Sequence, residues 1–184
     1  ITHAARLQAV TAGTVSFTSV AETEAAKAEA VEHYLAAHDI TFVRHDHPAV
    51  ATVAEAETHW ADIDAFHAKN LFLRNQKGNR HFLVVLHFQR RGDLAAIGEH
   101  FGERRLGFAS PERLLGHLGL TPGAVSPFGL INDPGHAVTL AIDGSLRAAA
   151  RVAFHPNVNT ATLVLATGDF LRYLAAVGHD VHWI

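Results

Sequence analysis

A chain of 184 residues, 48% hydrophobic and 18% charged, can bury a full core and has the composition of an ordinary globular protein. Its formal net charge of −3 argues against broad affinity for nucleic-acid backbone, which needs a basic face, and no apolar run approaches the ~20 residues that span a bilayer. With no cysteine there is no disulfide framework, no thiolate nucleophile and no Cys-ligated metal.

Residues 1–20 show no period and are expected to form a mobile leader, with residues 21–184 as the working domain. No signal-peptide pattern is present, which makes a cytoplasmic protein the expectation. Glu22 to His38 reads as a helix with Ala30, Val31, Tyr34 and Leu35 as its apolar stripe, and Ile40 to Arg44 as a short strand. Thr52-Val53-Ala54-Glu55 is a capping box opening a helix towards Trp60; the same pair could instead face a ligand. Asn70 to Arg74 and Arg80 to Leu86 alternate across Gln76-Lys77-Gly78-Asn79, which predicts a β-hairpin. Asp93 caps a helix to about Phe101, and Ser110-Pro111 starts another that Gly119 ends.

Residues 121–133 hold two prolines and two glycines among apolar residues, the pattern of a constrained loop. Val138 to Ile142 is a strand. Arg151 to Ala166 reads as two strands around a polar knot, His155 to Thr160. Asp169 is expected to cap the last helix, with Phe170, Leu171, Leu174 and Val177 inward and Gly178 as its stop; Asp180 to Ile184 is a terminal strand. The elements together predict an α/β (mixed α+β) fold, a mixed and mostly antiparallel sheet covered by helices.

Four polar sets carry candidate chemistry: Lys69-Asn70; the loop Gly123-Ala124-Val125-Ser126-Pro127; Asn132; and the knot with His155, Asn157 and Asn159. Each has a plainer reading: a solvated strand-edge lysine for Lys69, and an Asx-type turn for the knot. Ser126 lacks the G-x-S-x-G spacing of a nucleophile elbow, and the glycine patterns of nucleotide-binding loops are absent. Among the 15 histidines, His45-Asp46-His47 is the only dense cluster. H-x-H without a third ligand, beside Pro48, reads as a surface loop, so no metal or other cofactor is expected.

Thr52-x-x-Glu55-Ala56, Lys69-Asn70-Leu71-Phe72-Leu73, Gly123-x-x-Ser126-Pro127-x-Gly129-Leu130 and Phe154-His155-Pro156-Asn157-x-Asn159-Thr160-x-Thr162-Leu163 stand in the order found in the YbaK-like prolyl-tRNA editing domains. The chain most resembles the freestanding alanyl-tRNA(Pro) deacylase branch, over about residues 22–184. The resemblance implies hydrolysis of the ester joining alanine to tRNA(Pro); with no cysteine, no serine elbow and no strong metal cluster, water is the expected nucleophile. Lys69, Asn70 and His155 would be the catalytic group. Gly123 to Pro127, Asn132, Asn157 and Asn159 would line the aminoacyl pocket. Whether His155 acts as a base or as an orienting group stays open. The implied partners are the acceptor end of tRNA(Pro) and the prolyl-tRNA synthetase, not DNA or a membrane. Arg74, Arg80, Arg90 and Arg91 are candidate phosphate contacts. Other readings are the same fold acting on cysteine or serine attached to tRNA, a binding module that has lost the chemistry, and a histidine-rich metal protein.

Overall fold

The alternation around Asn70 becomes the middle of an eight-stranded sheet. The computed structural model describes residues 23–49 and 63–184; the expected leader and the Thr52–Glu55 capping box lie outside them. In chain order the elements are α1 (Glu24–Ala37), β1 (Val43–Asp46), β2 (Phe66–Asn75), β3 (His81–His87), α2 (Leu94–His100), β4 (Leu106–Phe108) and α3 (Pro111–Leu118). A 3-10 turn (Pro127–Asn132), β5 (Val138–Ile142), a second 3-10 turn (Gly144–Ala148), β6 (Arg151–Phe154), β7 (Ala161–Ala166), α4 (Thr167–Val177) and β8 (Val181–Trp183) follow.

The strand order is β1-β7-β6-β2-β3-β5-β8, with β4 on β2 beside this path. Four pairings are antiparallel (β1–β7, β6–β7, β2–β3, β2–β4) and three parallel (β2–β6, β3–β5, β5–β8). The mixed, mostly antiparallel sheet read from the sequence is therefore the one observed. The main core joins α1, α3 and α4 to one face through Leu35, Phe72, Leu83, Leu118, Phe128, Phe154, Phe170 and Tyr173. A smaller cluster under α2, with Leu73, Phe82, Leu86 and Ile97, covers the other face. Each fully buried large apolar side chain contributes about 1.5–3 kcal/mol, which is why these positions fix the sheet.

The helix signals carry their mechanisms. Asp93 accepts from the amides of Ala95 and Ala96. Ser110 accepts from Arg113, and Gly119 takes the left-handed conformation that closes α3. At α4 the expectation fails: the helix starts at Thr167 after an uncapped Ala166, and Asp169 lies in its first turn, bonded to Thr41 and Arg172. Its buried face is Phe170, Tyr173 and Leu174, while Leu171 is exposed, because the helical period turns that position outward. On α1, Ala28, Val31 and Leu35 are buried and Ala30 is exposed. The strand expected from Ile40 begins at Val43, with Ile40 buried just before it.

Candidate functional site

β6 pairs with β2 in parallel at Phe66 and His67 only. Beyond that register β2 runs on beside β3, and its next neighbour on the open side is β4, from Leu73. Between these two contacts the sheet parts. A cavity of about 20 Å³ lies there, lined by Ala68 and Asn70 of β2, Ala153, Phe154 and His155 at the end of β6, and Thr162 of β7. That is room for one water-sized or methyl-sized group.

The constrained loop stands over this gap, held by its own carbonyls. Asn70 Nδ2 donates to Val125 O at 2.9 Å, the Tyr173 hydroxyl donates to Pro127 O at 2.9 Å, and Asn157 Nδ2 donates to Phe128 O at 3.4 Å. Ser126, fully buried, accepts from the Phe128 amide through its hydroxyl. Gly123 has φ of +89°, and a side chain begun there would stand 3.6 Å from Asn159 Nδ2. The knot is therefore bonded to the loop through Asn157, and Gly123 lies close to Asn159. Asn157 itself holds φ of +63°, which asparagine tolerates better than most residues.

Two acceptors are left over. The Oδ1 atoms of Asn70 and Asn157 are buried without a hydrogen-bond partner. Buried amide oxygens are normally satisfied; of the two, Asn70 lines the cavity, so its unmet acceptor is ready for a donor brought by a ligand.

His155 is set up by its neighbours. Burial pushes its pKa below the usual imidazole value, opposed by the hydrogen bond to Ala161 and reinforced by nearby His47. Nδ1 donates to the Ala161 carbonyl at 2.8 Å, which fixes the neutral tautomer with Nε2 as the acceptor. The His47 ring centroid lies 5.7 Å from that of His155, and His47 Nε2 meets Thr162 Oγ1 at 3.0 Å. His47 is therefore half-buried beside the site, and not part of the surface loop expected for His45-Asp46-His47; His45 and Asp46 are exposed on β1.

The structure gathers Asn70 and His155 at the cavity; Val125 is tied to it through its carbonyl's bond to Asn70, and Gly123, Ser126, Pro127, Asn157 and Asn159 lie in the loop and knot outside the cavity lining. Ala124 is buried, its amide given to Thr121 O. Asn132 does not join them. Its amide caps the last turn of α3 by donating to Leu118 O at 2.8 Å, so it is a helix-closing residue. Lys69 follows the two-residue period and faces the other side of β2, opposite Leu86. It is half-buried and does not line the cavity. Ala68, Phe154, Thr162 and His47 were missed as site residues. Thr160, two residues earlier, is an exposed turn residue outside β7, so the knot itself carried no signal for Thr162.

Residues 47–173 match the model of the aminoacyl-tRNA editing domain. The prolyl-tRNA editing protein ProX of Acetoanaerobium sticklandii is 39% identical over 140 residues, 76% of this chain and 85% of that protein. Prolyl-tRNA synthetase associated domain-containing protein 1 of Mus musculus is 33% identical over 139 residues, 73% of this chain and 82% of its own. A solved structure described as a candidate trans-editing enzyme for prolyl-tRNA synthetase superposes with a TM-score of 0.66 at 22% identity, covering 85% of this chain and 95% of that one.

Proposed function

The chain belongs to the aminoacyl-tRNA editing domain family, and from that premise we propose that it clears alanine from tRNA(Pro) in trans. It is an aminoacyl-tRNA deacylase of the prolyl-tRNA editing kind. Among its described residues no helix is long and apolar enough to cross a membrane. The finer reading, alanine as the residue removed, is supported by the small cavity between Asn70 and His155, which has space for a methyl group and little more. A synthetase site for proline separates smaller amino acids by only about 1–3 kcal/mol per missing methylene, so a second site that admits alanine and excludes the larger proline supplies the missing discrimination.

In this reading water adds to the ester carbonyl carbon. The bond to the terminal ribose oxygen breaks, and free alanine and tRNA leave. An aminoacyl ester is reactive already, so the protein mainly positions it and stabilises the developing oxyanion. The pinned loop supplies backbone amides for that charge; Ala124 N is committed to Thr121, which leaves Gly123, Val125 and Ser126 as the candidates. The unmet Asn70 Oδ1 accepts from the substrate's ammonium group. His155, neutral and presenting Nε2, orients a hydroxyl or water. Lys69 anchors a phosphate or hydroxyl of the terminal adenosine from the strand's other side. The synthetase is the natural partner, and the cytoplasm, where tRNA is charged, the place of action.

The test is deacylation of Ala-tRNA(Pro) beside Pro-tRNA(Pro), with Ser- and Cys-charged tRNA(Pro) in parallel. Alanine released well ahead of proline supports the reading. Equal rates on alanine and proline, or faster release of serine or cysteine, would end it.

A further inference from the structure

The far end of β2 carries a second hollow, of about 430 Å³, lined by Arg74, Lys77, Phe108 and Arg113 together with the hairpin turn and the start of α3. Three of the lining residues are cationic and none is acidic, although the whole chain carries −3. The neighbouring hollow shares Lys77 and continues the cationic lining with Arg104, while its Arg80 is paired with Glu103 at 2.7 Å. Arg113 is held in place, donating to Gly78 O at 2.7 Å and lying 3.0 Å from His81 Nε2. Phe108 is 66% exposed, the most exposed large apolar side chain among the described residues.

An uncompensated cationic hollow with an exposed aromatic at its rim fits one ligand chemistry well, a nucleic-acid strand. The cations take phosphates and the ring takes a base. We infer that the hollow of Arg74, Lys77, Arg113 and Phe108 is a docking surface for the acceptor arm of the tRNA whose ester is cut at Asn70 and His155. This rests on the proposed function. Arg74 is four residues along β2 from Asn70, about 13 Å at ~3.3 Å per residue. That span matches a short single-stranded run stacked at ~3.4 Å per nucleotide. One strand thus holds the reacting end and the arm behind it in fixed register.

Binding of fluorescently labelled, uncharged tRNA(Pro), followed by anisotropy between about 50 and 200 mM salt, tests the docking surface apart from catalysis. The variants are Lys77→Ala, Phe108→Ala and Phe108→Trp, all at exposed positions. Lys77→Ala is expected to weaken binding and lower the slope of log affinity against log salt by about 1. Phe108→Ala is expected to lose about tenfold with the slope kept, and Phe108→Trp to restore it, since stacking needs only a ring. Wild-type affinity in both alanine variants, or no binding by the wild type, overturns the inference. Binding with this pattern but no ester cleavage would sink the enzyme reading and leave the docking surface standing.

Discussion

Asn70 of β2 donates to the carbonyl of Val125 across 2.9 Å, so the residue that walls the cavity also holds the loop opposite. Replacing it should therefore harm catalysis more than folding. For Asn70→Ala the expected loss of stability is about 0.5–1.5 kcal/mol, the net worth of a hydrogen bond. The expected fall in kcat/KM is about 10–100-fold, because both the loop and the substrate's ammonium lose a partner. Steady-state deacylation with urea unfolding of the same variant checks both. A variant that loses activity only in proportion to its folded fraction contradicts the role.

Tyr173 reaches the same loop from below. Its hydroxyl is fully buried and donates to Pro127 O, and burial raises its pKa well above the ordinary tyrosine value. Tyr173→Phe leaves that carbonyl unsatisfied, at a cost of about 1–3 kcal/mol. Chemical denaturation should show a lower midpoint with an unchanged slope.

Cavity size gives a third expectation. Ala68 lies on the floor, and Ala68→Val adds two methyl groups where there is space for about one. Alanine release should fall about tenfold or more while far-UV circular dichroism is unchanged, since overpacking a small void costs about 1–3 kcal/mol. Undiminished alanine release would place the aminoacyl group elsewhere.

Lys69 does not line the cavity, and its proposed part in the reaction is tested separately. Lys69→Ala is expected to cut deacylation by about 100-fold while shifting stability by less than about 0.5 kcal/mol, read by single-turnover kinetics and thermal melting. Normal turnover in this variant removes the anchor.

His81 supplies the pH test. It is buried against Phe72 and His117, and burial, helped by His117 and Arg113, lowers its pKa to about 4. A histidine whose folded pKa lies below its unfolded value of ~6.5 takes up its proton more readily when unfolded. Its contribution is thus intact above pH ~6.5 and is lost as pH falls towards about 4. His81→Phe keeps the ring stack and removes the titration, so urea midpoints from pH 7 to 5 should fall less in the variant than in the wild type.

Much of this was legible from local signals. The hairpin, the Ser110-Pro111 start, the glycine stops and the two strands around the knot rest on short-range chemistry that the sequence carries openly. The start of α4 was misread because Asp169 looks like a cap, yet a long-range partner, Thr41, claims its carboxylate. Asn132 resembled a pocket residue because adjacency cannot tell whether an amide faces a ligand or the end of α3. Thr162 and His47 meet across 115 positions of sequence, a pairing that arises only when β1 lies beside β7. Lys69 and Asn70 read as one unit, but a strand sends neighbours to opposite faces.

That last geometry constrains how the gene can change. β2 keeps Asn70 beside the loop and Arg74 at the hairpin's tip through an unbroken run of ten residues. Inserting or deleting one codon between them would turn Arg74 to the face opposite Asn70. A change in the length of this segment would therefore disturb both the proposed reaction site and the proposed docking surface.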